Sequence, residues 1–137
     1  MKVKKNILII TDGSGEIVHI AAKIREALSE TKFCNSKVLV KSALEFKGND
    51  ILPVDVFFLG CEKPKPDSFA YLEDLMKHIN LANRFCGIFS SGSEKAIKYL
   101  SSLVKDSEVS LYPATLLGLD ISGAHIKKWA EKVVSGS

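Results

Sequence analysis

The stretch that decides the fold is Ile7-Leu8-Ile9-Ile10-Thr11-Asp12-Gly13-Ser14-Gly15-Glu16. Its first four residues form an uninterrupted apolar run, which is typical of a strand buried on both faces of a parallel sheet. The two glycines then predict a tight turn, and the residues after it carry apolar side chains at helical spacing. Because a helix N-terminus presents free backbone N–H groups, a strand, a glycine turn and a helix in this order predict an anion site.

The rest of the chain repeats this alternation of strand and helix. Apolar runs predict strands at residues 3–10, 37–40, 54–60, 85–89 and 109–112. Apolar residues at helical spacing predict helices at residues 15–30 and 67–80, and two more that begin near Ser93 and Ser122, with a brief helical turn within residues 42–48. Asp67 or Ser68 is the predicted N-cap of the second helix, and Ser93 is that of the third. Strands that alternate with helices on short loops favour an α/β fold, with a doubly wound parallel sheet covered by helices on both faces.

The composition is that of an ordinary globular protein. The 137 residues are 46% hydrophobic and 26% charged, so we expect a single domain over residues 1–137. The net charge of +3 is spread over many lysines and is not clustered on one basic face. Since nucleic-acid binding requires such a face, we expect no nucleic-acid partner. The apolar runs are too short to cross a bilayer and no signal-type segment is present, so we expect a cytoplasmic protein with no membrane partner. Three widely spaced cysteines indicate neither a disulfide framework nor a zinc site.

Parallel sheets of this kind bind ligands at the carboxyl ends of their strands, where the winding direction reverses. For this chain that rule predicts a pocket made by three loops, at residues 11–17, 60–66 and 90–94. All three loops are short and polar, and each contains glycine. His19, His78 and His125 stand alone on predicted helices, and no paired acids or metal ligands accompany the loops, so we expect no catalytic or metal-binding residues.

With these elements in place, the chain resembles the flavodoxins, small proteins that carry electrons on FMN. Asp12-Gly13-Ser14-Gly15-Glu16-Ile17 is similar to their phosphate loop, Ser/Thr-x-Thr-Gly-Asn-Thr. Asp55-Val56-Phe57-Phe58-Leu59-Gly60-Cys61 is similar to their third strand and its exit, and Trp129 matches a tryptophan common in the last helix. The resemblance implies a five-stranded sheet in the order 2-1-3-4-5, an FMN cofactor and redox partner proteins. It also implies that FMN is bound by Thr11, Asp12, Gly13, Ser14, Gly15, Glu16, Ile17, Gly60, Cys61, Glu62, Ser90, Ser91, Gly92 and Ser93.

The chain departs from the family at both ends of that site. Asp12 and Ile17 replace hydroxyl residues of the phosphate loop, and Glu16 replaces its asparagine. The loops at residues 60–66 and 90–94 have no aromatic side chain to stack on a flavin. Two alternatives therefore stay open: a flavin-free module that docks a partner through the same loops, and a site for a neutral or positively charged small ligand.

Individual residues also have simpler interpretations. The glycines can serve only the turn, with Asp12 as the helix N-cap and Glu16 as an acid in the first turn that complements the helix dipole. Cys61 is either a reactive thiol, its pKa lowered by Lys63 and Lys65, or a packing residue. A response-regulator receiver has the same winding, but this chain has Gly60-Cys61 where that family has its phosphorylated aspartate, and Pro113-Ala114-Thr115 where it has a lysine.

Overall fold

One parallel sheet organises the chain, and the computed structural model describes residues 4–118 and 121–136 of it. The strands are β1 (Asn6–Thr11), β2 (Lys37–Ser42), β3 (Val56–Gly60), β4 (Phe85–Ser90), β5 (Ser110–Leu111) and β6 (Leu116–Leu117). The helices are α1 (Gly15–Leu28), α2 (Gly48–Ile51), α3 (Ala70–His78), α4 (Glu94–Leu103) and α5 (Gly123–Ser135). Single turns of 3-10 helix lie at Asp67–Phe69 and Lys105–Ser107. The predicted start of the first strand at Val3 lies outside the described residues.

The order of the strands confirms the doubly wound sheet. It runs β2-β1-β3-β4-β5, with every neighbouring pair parallel and β6 also paired with β4. The register places Ile7 of β1 between Val38 of β2 and Val56 of β3. The winding therefore reverses at β1, as the sequence predicts for the strand that precedes the glycine turn.

The two faces of the sheet bury separate cores. Ile7, Ile9 and Phe58 face a core that α1 and α5 cover, while Leu8, Ile10 and Phe57 face a core that α3 and α4 cover. All six side chains are at most 1% exposed. Burial on both faces is the physical reason why β1 and β3 are continuous apolar runs and do not alternate with polar residues.

The fifth strand differs from its prediction. The sequence predicts one strand at residues 109–112 that stops at Pro113, but in the structure two short strands, β5 and β6, pair with the same side of β4. Tyr112 N–H still donates to the Cys86 carbonyl at 2.8 Å, and the chain returns at β6, where Gly118 N–H donates to the Ser90 carbonyl at 3.0 Å. Pro113 has no N–H for the ladder, so the chain bends away from the sheet between the two segments.

Other boundaries shift by a few residues. α1 ends at Leu28, β2 continues to Ser42, and the short helix predicted within residues 42–48 lies at Gly48–Ile51. The predicted N-cap at Ser93 is confirmed, because its Oγ accepts a hydrogen bond from Ala96 N–H at 3.1 Å. The cap predicted before α3 is not found, because no side chain caps the turn at Asp67–Phe69. Among the described residues, none of the helices is both long and apolar enough to pass through a membrane.

A glycine at the end of β3 sets a close contact inside the sheet. An added Cβ at Gly60 would overlap the ring of Phe89 on β4, a side chain that is fully buried. We therefore expect Gly60→Ala to lower the free energy of unfolding by about 1–3 kcal/mol, measured by urea denaturation. The matched control is Gly123→Ala at the start of α5, where an added Cβ meets no atom within 4 Å. Equal stability of the two variants would contradict this packing.

Candidate functional site

The three loops predicted to form the pocket leave the sheet side by side. Thr11 at the end of β1 pairs with Gly60 at the end of β3, and Gly60 pairs with Phe89, next to Ser90 at the end of β4. The loops at residues 11–17, 60–66 and 90–94 therefore start from three adjacent strand ends. The structure brings the sequence-predicted residues to one edge of the sheet.

The first loop is closed by its own side chains. Gly13 has a φ of 84°, in the left-handed region that glycine adopts without strain, and its N–H donates to Thr11 Oγ1 at 3.2 Å. Asp12 Oδ1 accepts hydrogen bonds from Ser14 N–H at 2.9 Å and from Ser14 Oγ at 2.8 Å. Two backbone N–H groups and one hydroxyl of the turn thus already have acceptors within the loop.

Asp12 also joins the first loop to the second. Its Oδ2 accepts a hydrogen bond from Glu62 N–H at 2.8 Å, and its backbone carbonyl accepts one from Ser68 Oγ at 3.4 Å. The carboxylate therefore has three donors from two loops that lie 50 residues apart in sequence. Hydrogen bonds to an ionised acceptor are among the stronger ones in proteins, so this bridge fixes the two loops relative to each other.

The start of α1 remains open. The N-cap is Ser14 and not Asp12, which corrects the N-cap interpretation, and the Ser14 side chain does not cap because it donates to Asp12. Within the described part of the chain, no acceptor receives the backbone N–H groups of Gly15, Glu16 and Ile17. Glu16 lies in the first turn, as expected for an acid that complements the helix dipole.

Cys61 in the second loop is a packing residue. Its side chain is fully buried in the core between the sheet and α3 and α4. Burial, and then the negative charge of Asp12, raise the pKa of Cys61 to about 12. Of the two interpretations of Cys61, the reactive thiol with a pKa lowered by Lys63 and Lys65 is wrong, because the thiol lies in the core and near the Asp12 carboxylate, and the packing residue is confirmed. The thiol is therefore protonated at neutral pH and a poor nucleophile.

The third loop is polar and carries no ring. Ser90 is fully buried, and its hydroxyl has no hydrogen-bond partner among the described residues. Gly92 has a φ of 153°, and Ser93 caps α4. The ring of Phe89, the residue before Ser90, packs against Gly60 in the core under α1 and α5.

Negative charge exceeds positive charge at this edge. Asp12, Glu16, Glu62 and Glu94 carry carboxylates, whereas the same loops carry ammonium groups only at Lys63 and Lys65. Across residues 4–118 and 121–136, no group of three or more His, Cys, Asp or Glu side chains is arranged to hold a metal ion. The edge can donate hydrogen bonds to an anion from its backbone N–H groups, but its carboxylates repel that anion.

The burial of the cysteines makes a direct prediction about their reactivity. Cys34 is partly exposed, whereas Cys61 and Cys86 are fully buried and burial raises the pKa of both. We expect a disulfide reagent at neutral pH to modify one thiol quickly in the native protein and all three after denaturation. Cys34→Ser should abolish the fast phase. A fast thiol that survives in this variant would contradict the packing role of Cys61.

Solved structures with the same architecture include flavodoxins. Flavodoxin 2 from Bacillus cereus matches with a TM-score of 0.80 and 17% identity, over 97% of this chain and 99% of its own. A short-chain flavodoxin associated with a PDU bacterial microcompartment matches with a TM-score of 0.78 and 14% identity, over 98% of both chains. A Fusobacterium nucleatum flavodoxin bound to flavin mononucleotide matches with a TM-score of 0.67 and 11% identity, over 96% of both chains.

Sequence comparison adds no closer relative. No family model matches this chain, and no curated protein matches it either. At identities of 11–17%, the matching structures establish the architecture and not the ligand. The chain therefore has the flavodoxin-like fold, with the strand order β2-β1-β3-β4-β5. Its first loop is closed by hydrogen bonds to the carboxylate of Asp12.

Proposed function

We propose that this protein is a flavodoxin-like electron carrier that binds FMN weakly at the edge formed by the three loops. The observation that carries the proposal is the open start of α1, where three consecutive backbone N–H groups, those of Gly15, Glu16 and Ile17, have no acceptor among the described residues. A helix N-terminus of this kind binds phosphate through its N–H groups and its dipole. The match to flavodoxins over nearly the whole chain supports the same assignment.

The phosphate end of the site fits FMN only in part. Ser14 N–H and Ser14 Oγ, which sit at the centre of the loop, are held by Asp12. A carboxylate about 4 Å from a phosphate charge costs roughly 1 kcal/mol in water and about 4 kcal/mol at the effective dielectric of a protein surface. The dipole of a helix N-terminus stabilises a bound anion by only about 0.3–2 kcal/mol. Asp12 therefore sets the affinity, and phosphate binds well only when that carboxylate turns away.

The ring end offers backbone and hydroxyl groups. FMN, when bound, supplies the electron-transfer chemistry, and the protein positions it and tunes its potential. The flavin ring would lie along Gly60–Glu62 and Ser90–Ser93, where no aromatic side chain stacks on it. The buried Ser90 hydroxyl, which lacks a partner among the described residues, lies at this edge. No side chain acts as an acid or base in this proposal.

As a carrier the protein would act as a single domain over residues 1–137 in the cytoplasm and exchange electrons with redox partner proteins. A second candidate function is a flavin-free module that docks a partner through the same loops. The Asp12 hydrogen bonds favour it, because a loop whose donors are already satisfied is stable without a ligand.

Replacing Asp12 separates these functions. We expect Asp12→Ser to tighten FMN binding at least about tenfold, because it removes one charge and frees the donors of Ser14. The measurement is the rise in flavin fluorescence anisotropy on titration with the protein, which reports binding without requiring a ring that stacks on the flavin. Glu16→Ser is the matched control: it removes one carboxylate from the same loop without freeing these donors, so we expect a smaller gain.

The same titration decides against the carrier if FMN fails to bind. Thermal unfolding followed by circular dichroism confirms that each variant is folded. If folded wild-type protein and folded Asp12→Ser both leave flavin fluorescence anisotropy unchanged up to about 1 mM, FMN is not the ligand and the flavin-free module is the function that remains. Equal gains from Asp12→Ser and Glu16→Ser would assign the effect to charge alone.

A further inference from the structure

A cleft separate from the three loops lies where the fifth strand is interrupted. Between β5 and β6 the chain bends away from the sheet, and α5 passes beside the bend. The space between them has a volume of about 300 Å³. That volume is at the lower end of the range for small-molecule sites in proteins. It is lined by Tyr112, Thr115, His125, Lys128, Trp129 and Lys132, among others.

The wall of this cleft is fixed. Trp129 Nε1–H donates to the Ala114 carbonyl at 2.9 Å, which ties the bend to α5. The indole ring also packs against Phe58 in the core, with 5.4 Å between ring centroids, and Trp129 is 5% exposed. A buried tryptophan that is both hydrogen-bonded and packed holds the bend in place. The cleft is therefore formed before any ligand binds, which lowers the cost of binding.

The cleft is a surface of hydrogen-bond donors. His125, Lys128 and Lys132 are exposed and follow one another at intervals of three and four residues, which places them on one face of α5. The distance along the helix from the first to the last is about 10 Å. No carboxylate lines the cleft, and none of the three side chains has an ion-pair partner within residues 4–118 and 121–136. Tyr112 and Thr115 add hydroxyl groups.

We propose that this cleft binds a small organic phosphate with a planar ring, of the size of a nucleoside monophosphate. The ammonium groups of Lys128 and Lys132 bind the phosphate oxygens, because lysine recognises phosphate as a point charge. The ring of the ligand lies against Tyr112, which is half-buried and lines the cleft. The site shares no residue with the three loops, so it does not depend on flavin binding.

The single tryptophan of the chain makes the test direct. Trp129 is the only tryptophan and lines the cleft, so its fluorescence reports on ligand there. We expect titration with AMP to give a saturable change in Trp129 fluorescence, and adenosine or inorganic phosphate alone to bind at least about tenfold more weakly. Lys128→Glu should weaken AMP binding at least about tenfold.

Lys127→Glu is the matched control, because it makes the same charge change one residue away and does not line the cleft. It should leave AMP binding unchanged, and both variants should keep the far-ultraviolet circular dichroism of the parent. Equal loss in the two variants would overturn the proposal, since it would show a response to net charge alone. So would no saturable change with AMP, or binding of a glutamate-rich peptide in its place, which would assign the face to an acidic protein partner.

Discussion

The carboxylate of Asp12 is the constraint on which the edge formed by the three loops depends. It accepts hydrogen bonds from Ser14 N–H, Ser14 Oγ and Glu62 N–H, and so it holds the first loop closed and joins it to the second. It also lies close enough to Cys61 to help raise the pKa of that thiol. One side chain thereby sets the shape of the glycine turn, contributes to the negative charge of the edge and adds to the effect of burial on the pKa of Cys61. A phosphate that enters the turn competes with an anion that the chain supplies itself.

The sheet holds Asp12 at that position. β1 lies between β2 and β3 and is buried on both faces, so Thr11 at its end is fixed in register with Gly60. The close contact of Gly60 with Phe89 then fixes the ends of β3 and β4 against each other. Because the strand ends cannot move apart, the loops that follow them meet, and a short side chain is enough to bridge two of them. The register of β1, β3 and β4 thus determines both the packing of the core and the geometry of the edge.

The sequence predicts the architecture because local patterns carry it. The apolar runs of β1 and β3, the spacing of α1 and the cap at Ser93 each depend on neighbouring residues, and all are found in the structure. The edge is harder to predict, because its decisive contact joins Asp12 to Glu62, which lie 50 residues apart. The same reason explains why the sequence leaves open whether Cys61 is a reactive thiol beside two lysines or a packing residue, as which it lies in the core. The sequence does not predict β6, because two leucines after a proline are too short a pattern. Without β6, it does not predict the cleft beside Trp129 either.

Amide hydrogen exchange measured by nuclear magnetic resonance tests the role of Asp12 most directly, because it reports each N–H of the edge separately. The bridge predicts that the amides of Ser14 and Glu62 exchange slowly, that those of Gly15, Glu16 and Ile17 exchange quickly, and that Asp12→Ala speeds the exchange of Ser14 and Glu62 alone. Fast exchange of Ser14 and Glu62 in the unaltered protein would show that no carboxylate occupies the turn, and would contradict the account.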